Sequence, residues 1–253
     1  MLEGCTPGGW ERPGPLTRLF VTARGYGLSM SGMTWILDVD GTLVDTNYHH
    51  AIAWFRAFRA HGVTLPVWRL HRHVGMGGDK LVGAVAGEDV ERGLGDEVRA
   101  RWEQEFDLLI DEVQPLAGAA DLVRELSRRG DHPVLASSAV RPHLDHFIEL
   151  LGVRDSLAAA TSKDDVECSK PDPDLVRAAL AAVPSSSAVM LGDTPWDVDA
   201  AGAAGVPTLC VLTGGYGEAE LRDAGALDVY GDLHTLLDEI RAGRLDAVAA
   251  AAG

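Results

Sequence analysis

The sequence predicts an α/β protein in which helices cover both faces of a parallel sheet and a helical domain is inserted after the first strand. Three observations support this. The 253 residues are 46% apolar and 24% charged, the composition of an ordinary globular protein. Short, continuous apolar runs recur along the chain, as in strands that are buried on both faces. Amphipathic segments separate most of these runs, which is the alternation expected of a parallel sheet and its crossover helices.

Five apolar runs are predicted to form the strands of the sheet. They are residues 35–37, 134–136, 157–160, 188–191 and 208–212. Between them lie segments whose apolar positions recur at helical spacing, and these segments are predicted to be the covering helices. They are residues 119–130, 140–152, 172–183 and 195–205.

One interval breaks the alternation of strand and helix. Residues 46–114 contain helical patterns over 47–62 and 88–113 and no convincing strand. We therefore predict a helical cap over residues 46–114. It interrupts a sheet-forming core that consists of residues 33–45 and 115–242.

The two ends of the chain lack the periodicity of the core. Residues 1–32 are rich in glycine and proline and are predicted to be a disordered extension. They contain no continuous apolar run long enough for a secretory signal. Residues 243–253 are rich in alanine and are predicted to be a frayed tail.

The charge and composition argue against several classes of partner. The formal net charge of −16 repels phosphate backbones and anionic lipids, so neither a nucleic acid nor a membrane is an expected partner. No apolar run approaches the roughly 18 residues of a spanning helix. The three cysteines are too few for a disulfide framework and lack the spacing of a zinc site. A cytoplasmic location is therefore expected.

The first group of candidate functional residues follows the first predicted strand. In the segment WILDVDGTLVDT, Asp38 and Asp40 are two residues apart and are followed by Gly41 and Thr42. In open α/β sheets the ligand site lies beyond the carboxyl ends of the strands. Two carboxylates so close repel each other unless a proton or a cation intervenes. An isolated motif of this kind also fits a surface turn, so other features of the sequence must distinguish a functional site from a turn.

Three further polar groups lie at comparable places in the predicted fold. Ser137 and Ser138 directly follow the second predicted strand, where a helix N-cap is the structural alternative. Lys170 lies in SKPDPDL, which alone also fits a solvated lysine before a turn. Asp193 and Asp197 follow the strand at 188–191 and also fit helix capping. Because parallel strands bring their carboxyl ends to one edge, all these groups are predicted to meet there.

In this order, the motifs resemble those of the haloacid dehalogenase superfamily of hydrolases. The resemblance rests on DVDGTLVDT, the serine after the second strand, KPDPDL and GDTPWD, and it covers residues 34–230. It implies a Rossmann-like, doubly wound parallel sheet with an inserted helical cap domain. The predicted cap resembles that of the branch containing phosphoglycolate phosphatase and β-phosphoglucomutase.

The resemblance implies a role for each motif in phosphoryl transfer. Asp38 is implied to be the nucleophile, which attacks phosphorus and forms an aspartyl-phosphate. Asp40 is implied to be the general acid for the leaving alcohol and then the base for the attacking water. Ser137 and Lys170 are implied to hold the phosphoryl oxygens. The physics agrees, because a carboxylate approaches an anionic phosphate only when cationic groups offset their repulsion.

The resemblance also implies a Mg²⁺ cofactor. The carboxylates of Asp38 and Asp193 and the backbone carbonyl of Asp40 are implied to bind it, with Asp197 assisting directly or through water. Hard oxygen ligands of this kind suit Mg²⁺. The other core residues implied to contact the substrate are Gly41, Thr42 and Ser138.

Substrate choice is expected to depend on the cap. Lys80 follows a turn made by Gly77 and Gly78, and it is predicted to bind an anionic group of the substrate beyond the phosphate. Capping of a helix is the alternative role for Lys80. If Lys80 is structural, His71 and His73 are the next candidates for substrate contact.

The sequence does not determine the substrate or the oligomeric state, but it ranks the possible activities. The leading prediction is a Mg²⁺-dependent phosphatase that acts on a small phosphorylated metabolite. A phosphomutase of the β-phosphoglucomutase type would use the same core residues. A phosphonate hydrolase would need Lys80 to form a Schiff base, and a dehalogenase would need neither Asp40 nor a metal. A non-catalytic binding domain would be expected to lack Asp38 or Asp40, and both are present.

Overall fold

The computed structural model describes residues 32–183 and 185–245 and contains a six-stranded parallel sheet. Its strands are β1 (Thr34–Leu37), β2 (His132–Ala136), β3 (Ala159–Thr161), β4 (Ala188–Gly192), β5 (Thr208–Val211) and β6 (Asp228–Tyr230). Of the predicted extension and tail, residues 1–31 and 246–253 lie outside the described residues.

Four helices lie between β1 and β2 in the chain, in the interval predicted to be the cap. They are α1 (Asn47–Ala60), α2 (Val67–His71), α3 (Gly78–Ala86) and α4 (Glu88–Asp107). Six further helices accompany the sheet: α5 (Ala119–Arg128), α6 (Arg141–Leu151), α7 (Asp174–Ala182), α8 (Pro195–Ala203), α9 (Glu218–Ala224) and α10 (Leu233–Arg241). None of the described helices is both long enough and apolar enough to cross a membrane.

The strand order is β3-β2-β1-β4-β5-β6, and every neighbouring pair is parallel. In the register of the central strands, Leu37 of β1 lies beside Leu135 of β2 and Leu191 of β4. The segments that follow these three strands therefore emerge next to one another at one edge of the sheet. This topology confirms the predicted doubly wound, Rossmann-like class, whose ligand crevice forms where the strand order reverses.

Helices cover both faces of the sheet, and alternate side chains of β1 are therefore buried on opposite sides. Trp35 and Leu37 belong to an apolar cluster that also contains residues of α5, α6 and α10. Ile36 belongs to a second cluster, to which α7 and α8 contribute. Burial of each large apolar side chain contributes about 1.5–3 kcal/mol, so this central strand anchors the segment that follows it.

The cap helices have an apolar core of their own. Trp54 and Phe58 of α1 pack with Leu81 and Val85 of α3 and with Val98 of α4. The periodicity of the sequence predicts α1 and α4 but neither α2 nor α3. Helix α2 has only five residues, and α3 begins at a glycine, so neither presents a long amphipathic pattern.

Two strands differ from the sequence prediction. The third strand is Ala159–Thr161 rather than residues 157–160, because the preceding residues form a 3₁₀ turn at Arg154–Ser156. Strand β6 is not predicted by the sequence pattern. It has three residues, begins with an aspartate and lies at the edge of the sheet, so it lacks the continuous apolar run of a central strand.

Candidate active site

The turn after β1 holds two buried aspartates. Asp38 and Asp40 are only 5% and 9% exposed. The turn requires glycine at position 41, because Gly41 has a φ of +80° and a Cβ there would collide with Asp193 and Asn47. The missing side chain lets Asp193, which follows β4, approach the turn closely.

A buried ammonium lies between two of the carboxylates. Lys170 is 1% exposed, and its Nζ lies 2.5 Å from Asp38 Oδ1 and 2.8 Å from Asp197 Oδ1. Burial alone lowers the pKa of Lys170, but the charges of Asp197 and Asp38 outweigh burial and raise the pKa above its ordinary value. Lys170 therefore stays positively charged beside Asp38.

Three carboxylates crowd the same point of the sheet edge. One carboxylate oxygen from each of Asp38, Asp193 and Asp197 lies within 4.8 Å of the other two. Burial raises the pKa of Asp38 to about 7, with Lys170 opposing the rise and Asp197 and Asp40 adding to it. Burial, followed by the charges of Asp38 and Asp197, raises the pKa of Asp193 well above its ordinary value. The cluster is therefore short of positive charge.

The hydroxyl of Thr42 shows how this shortage could be met. Thr42 Oγ1 lies 3.0 Å from Asp38 Oδ2 and 2.9 Å from Asp193 Oδ1, yet a hydroxyl has only one proton to donate. Either Asp38 Oδ2 or Asp193 Oδ1 is thus without the Thr42 proton at any moment, and a proton or a cation between these two oxygens would supply the missing charge. A set of carboxylate oxygens is the donor set that a hard divalent cation prefers, so these residues fit Mg²⁺.

Asp40 lies in a different environment from Asp38. Its carboxylate accepts hydrogen bonds from Thr46 Oγ1 at 2.9 Å and Ser137 Oγ at 3.1 Å, and His50 Nε2 lies 2.9 Å away. Burial by itself would raise the pKa of Asp40, but the hydrogen bonds and charge of His50, followed by the two hydroxyls, lower it below its ordinary value. Asp40 is therefore held ionised.

The serines after β2 have separate roles. Ser137 is fully buried, and its Oγ accepts a hydrogen bond from Ala139 N at 3.0 Å while it donates to Asp40. Ser138 Oγ is also buried but has no hydrogen-bond partner among the described residues. Ser138 lines the cavity and is free to donate to a ligand there.

Asp197 combines a capping role with its place in the acidic cluster. Its Oδ2 accepts hydrogen bonds from Thr194 N at 3.1 Å and from Thr194 Oγ1 at 2.7 Å, which forms a capping box at the start of α8. Its Oδ1 faces Lys170. Asp197 therefore caps α8 through Oδ2 and contacts Lys170 in the acidic cluster through Oδ1.

A cavity separates the sheet edge from the cap. On the core side Asp38, Asp40 and Ser138 line it, and on the cap side it meets side chains of α1 and α4 and the loop of residues 74–78. The loop packs directly on the core, because a Cβ at Gly77 would collide with Ser169. The acidic residues thus lie at the bottom of a space that the cap covers.

Residues 33–205 match a family model described as a haloacid dehalogenase-like hydrolase. The chain belongs to this family. The match spans the turn after β1, the cap, Lys170 and the start of α8, and therefore all the residues that the geometry brings together. The family resemblance predicted from the motifs is confirmed.

Two curated proteins and one solved structure illustrate the relationship of this haloacid dehalogenase-like hydrolase to known proteins. The protein SUPPRESSOR OF QUENCHING 1, chloroplastic, of Arabidopsis thaliana is 29% identical over 247 residues, which cover 91% of this chain but only 23% of that protein. The chain thus spans about a quarter of the length of that relative. Validoxylamine A 7'-phosphate phosphatase of Streptomyces hygroscopicus subsp. limoneus is 27% identical over 207 residues, covering 76% of this chain and 91% of that protein.

The solved structure is a hydrolase from Pseudomonas syringae. It superposes with a TM-score of 0.77 at 30% sequence identity and covers 83% of this chain and 98% of its own. Since nearly all of that protein is matched, the described core and cap together make up the same architecture.

The structure brings the core residues named from the sequence to one place. These are Asp38, Asp40, Gly41, Thr42, Ser137, Ser138, Lys170, Asp193 and Asp197. His71 and His73 lie elsewhere: His71 Nε2 is 3.1 Å from the carbonyl oxygen of Gly214, and His73 Nδ1 is 2.9 Å from that of Arg69.

Lys80 does not lie where the sequence prediction put it. Its Nζ pairs with Asp172 Oδ2 of the core at 3.0 Å, and Lys80 is not among the residues that line the cavity. The reason is the helical geometry of α3, which turns Lys80 away from the loop that precedes it and toward the segment after Lys170. In this arrangement the ammonium links cap and core.

His50 is a candidate functional residue that the sequence analysis does not single out. It belongs to the first cap helix, where two adjacent histidines offer no motif, yet it touches Asp40 and stacks on Phe106 at 4.0 Å. The available signal is spacing, because α1 begins soon after the turn and its first turn must pass over the edge of the sheet. The spacing predicts a contact with Asp40 only if the direction of α1 is known, and the sequence pattern does not predict that direction.

Proposed function

We propose that this chain is a Mg²⁺-dependent phosphatase that hydrolyses a small phosphorylated metabolite through an aspartyl-phosphate intermediate. One observation carries the proposal: Asp38 is paired with a buried Lys170, and a second aspartate, Asp40, lies two residues away in a network that gives it the opposite pKa shift. Family membership and a phosphatase among the relatives support it.

The proposed reaction has two displacements at phosphorus. First, an oxygen of Asp38 forms a bond to phosphorus while the bond to the leaving oxygen breaks, and Asp40 gives that oxygen a proton. Second, a water molecule attacks the aspartyl-phosphate and passes a proton to Asp40. The bond between phosphorus and Asp38 then breaks, which releases inorganic phosphate and regenerates both carboxyl groups.

The ionisation of Asp40 must change during this cycle. His50, Thr46 and Ser137 hold Asp40 ionised in the free enzyme, which is the form needed of a base. The first step instead needs Asp40 protonated. A negatively charged phosphoryl group bound nearby raises the pKa of a carboxyl, so substrate binding favours the uptake of that proton.

Positive charge is needed before Asp38 approaches an anionic phosphate. Lys170 supplies one charge. Mg²⁺ would be held by the carboxylates of Asp38 and Asp193 and by the backbone carbonyl of Asp40, with Asp197 assisting. When bound, it would offset the negative charge of the carboxylates and the phosphoryl oxygens. The hydroxyl of Ser138, which has no protein partner among the described residues, would donate to a phosphoryl oxygen.

The test is phosphate release by the wild-type protein and by Asp38→Asn from a panel of phosphate esters, with Mg²⁺ or with excess chelator. We expect Mg²⁺-dependent release by the wild type and at least a thousandfold loss in Asp38→Asn, since an amide is a poor nucleophile. The melting temperature should change by only a few degrees, because the substitution keeps the volume and removes a charge from a crowded site. Wild-type rates in Asp38→Asn would contradict the proposal.

The same assay separates hydrolysis from phosphoryl transfer within a sugar phosphate. A phosphatase releases inorganic phosphate in step with the alcohol. A phosphomutase moves the phosphoryl group between hydroxyls with little release. Acid quenching of the wild type during turnover, followed by mass spectrometry of the peptide that contains Asp38, should detect the phosphorylated aspartate in either case.

A further inference from the structure

The cap side of the active-site cavity is aromatic and apolar. His50, Trp54 and Trp102 line it together with the loop of residues 74–78, which contributes valine, methionine and three glycines. No arginine or lysine is among the described residues that line the cavity. A part of the substrate that extends from the phosphate toward the cap therefore meets no free positive charge.

Besides Arg72, which pairs with Glu220, two basic residues lie near the loop, and both are committed to carboxylates outside the cavity. Lys80 pairs with Asp172 at 3.0 Å. Arg99 pairs with Glu91 at 2.9 Å and with Asp96 at 2.8 Å, and its Nη1 donates to the carbonyl oxygen of Gly78 at 3.3 Å. Neither cation could turn to a ligand without abandoning an existing ion pair.

The charge at the bottom of the cavity makes a second anionic group on the substrate unfavourable. Asp38 and Asp197 contact the ammonium of Lys170, and Asp193 lies beside them without a lysine or arginine partner among the described residues. Asp40, close by, is bonded to His50 and two hydroxyls. That ammonium and a bound divalent cation are both needed to offset the carboxylates and the phosphoryl group itself. A further carboxylate or phosphate would enter this space without a partner, and a buried charge without a partner is costly.

The cap offers aromatic surface, and one of the residues that line the cavity, Trp102, carries a buried N–H. The indoles of Trp54 and Trp102 stack with their centroids 5.0 Å apart and their planes 14° from parallel. Trp102 Nε1 is buried, and it has no acceptor among the described residues. An unpartnered buried N–H costs free energy that a ligand oxygen would recover.

We propose that the leaving group of the substrate is an uncharged, hydroxyl-bearing group that packs against Trp54 and Trp102 and accepts a hydrogen bond from Trp102 Nε1. This inference rests on the proposed phosphatase function and names its substrate class. It selects esters of neutral alcohols, such as polyol or sugar phosphates, over esters that carry a carboxylate or a second phosphate.

Three small esters of matched size test the charge. They are 2-hydroxyethyl phosphate, ethyl phosphate and phosphoglycolate, which differ in one group: a hydroxymethyl, a methyl and a carboxylate. We expect the kcat/KM of the wild-type protein with Mg²⁺ to be at least tenfold higher for 2-hydroxyethyl phosphate than for phosphoglycolate. Asp38→Asn, measured by calorimetry, should bind 2-hydroxyethyl phosphate more tightly than phosphoglycolate, with the lower dissociation constant for the neutral ester.

The donor is tested by Trp102→Phe, which keeps an aromatic ring and removes the N–H. We expect kcat/KM for 2-hydroxyethyl phosphate to fall about three- to tenfold and kcat/KM for ethyl phosphate to change less than twofold. The matched control is Trp68→Phe, because Trp68 is a cap tryptophan that is 70% exposed and does not line the cavity. The control should leave both values unchanged.

Each outcome separates this inference from the proposed function. If the wild type hydrolyses none of the three esters or a wider panel, the phosphatase proposal itself fails. If phosphoglycolate is hydrolysed as well as or better than 2-hydroxyethyl phosphate, the inference is overturned and the phosphatase stands. An equal effect of Trp102→Phe on both neutral esters, or no effect, overturns the assigned donor. Should Trp102→Phe not fold, the wild-type ranking and the calorimetry still decide the charge of the leaving group.

Discussion

Asp38 and Asp40 are the same residue type two positions apart, yet the fold gives them opposite properties. Burial and neighbouring carboxylates raise the pKa of Asp38 to about 7. His50 and two hydroxyls lower the pKa of Asp40 despite its burial. A pair of carboxyl groups whose pKa values are pushed apart is a common basis for distinct catalytic roles. Replacing a residue that contacts one of these aspartates should therefore change the pKa of that aspartate measurably.

His50→Ala should raise the pKa of Asp40, since it removes the largest contribution that favours the ionised form. Asp40 then needs a higher pH to become a base. We expect kcat near neutral pH to fall about ten- to a hundredfold and the acidic limb of the pH profile to move to higher pH. The measurement is kcat and kcat/KM between pH 5 and pH 9.

Two further variants serve as controls for His50→Ala. His50→Gln places an amide donor near Asp40 and should recover part of the activity and of the normal pH profile. His49→Ala changes the neighbouring residue of α1, which is not hydrogen-bonded to Asp40, and should behave as the wild type. An unshifted acidic limb in His50→Ala would show that His50 does not control Asp40.

The raised pKa values of Asp38 and Asp193 predict how Mg²⁺ and pH act on stability. A carboxyl whose pKa is higher in the folded than in the unfolded state holds its proton longer when folded. Its stabilising contribution is complete below the unfolded value of 3.8 and is lost as the pH rises to about 7. Mg²⁺ relieves the repulsion between the ionised groups, so it should raise the melting temperature by several degrees at pH 8 and much less at pH 5.

Thermal unfolding with Mg²⁺ or chelator at both pH values tests this directly. Asp193→Asn is the matched variant, because it removes one charge from the cluster and keeps the shape of the side chain. Its response to Mg²⁺ should be smaller at pH 8. Equal Mg²⁺ effects at pH 5 and pH 8 in the wild type would contradict a binding site made of these carboxylates.

At the scale of elements, α1 serves the cap and the active site at once. Its later residues Trp54 and Phe58 pack in the cap core. Its first turn reaches the sheet edge, where Asn47 Nδ2 donates to Asp193 Oδ2 at 3.0 Å and His50 meets Asp40. Thr46, which precedes the helix, donates its hydroxyl to Asp40 rather than capping α1. The first turn of α1 and the residue before it thus connect the cap directly to Asp40 and Asp193.

The loop before α3 is the second element that joins cap and site. Gly77→Ala would drive a methyl group into Ser169, so the loop could not keep its position on the core. We expect kcat/KM to fall more than tenfold and stability to fall by about 1–3 kcal/mol, the usual cost of overpacking. Steady-state kinetics and denaturant unfolding measure the two effects.

Gly93→Ala is the matched control for that substitution. Gly93 is exposed on α4, and a Cβ there would meet nothing within 4 Å. Alanine is the better helix former, so this variant should gain about 0.5–1 kcal/mol and keep full activity. If Gly77→Ala were as harmless as Gly93→Ala, the loop would not be held against the core as described.

At the scale of the whole molecule, polar links hold the cap closed over the core. Besides the pair of Lys80 with Asp172, the hydroxyl of Tyr216 donates to the carbonyl oxygen of Arg72 at 2.6 Å, and the Arg72 guanidinium pairs with Glu220. The side chains of the two ion pairs are partly exposed, so each pair contributes modestly, whereas Tyr216 is buried.

Lys80→Ala should therefore weaken cap docking slightly and leave selectivity unchanged. We expect kcat/KM to change less than threefold, and by the same factor for neutral and anionic esters. A double-mutant cycle with Asp172→Ala should give a coupling energy of about 0.2–1 kcal/mol. A selective loss with an anionic ester would instead restore Lys80 to the substrate site predicted from the sequence.

Much of the candidate active site at the sheet edge could be predicted from the sequence alone. Asp38, Ser137 and Asp193 each follow a continuous apolar run, and parallel strands must bring such positions to one edge whatever the details of packing. The family match, over residues 33–205, includes all three positions. The edge strand β6 and the short helix α2 could not be predicted, because neither presents the repeated apolar pattern that identifies an element.

Tertiary structure alone decided which partners the cap residues find. The central strands are identified by local pattern, but the direction of α1 and the docking of the loop before α3 depend on packing between distant segments. That packing brought His50 to Asp40, took Lys80 to Asp172 and left the N–H of Trp102 without a described acceptor beside the cavity. The sequence by itself therefore determined the fold class and the grouping of the carboxylates at the sheet edge, whereas the partners of the cap residues follow from contacts that no local pattern encodes.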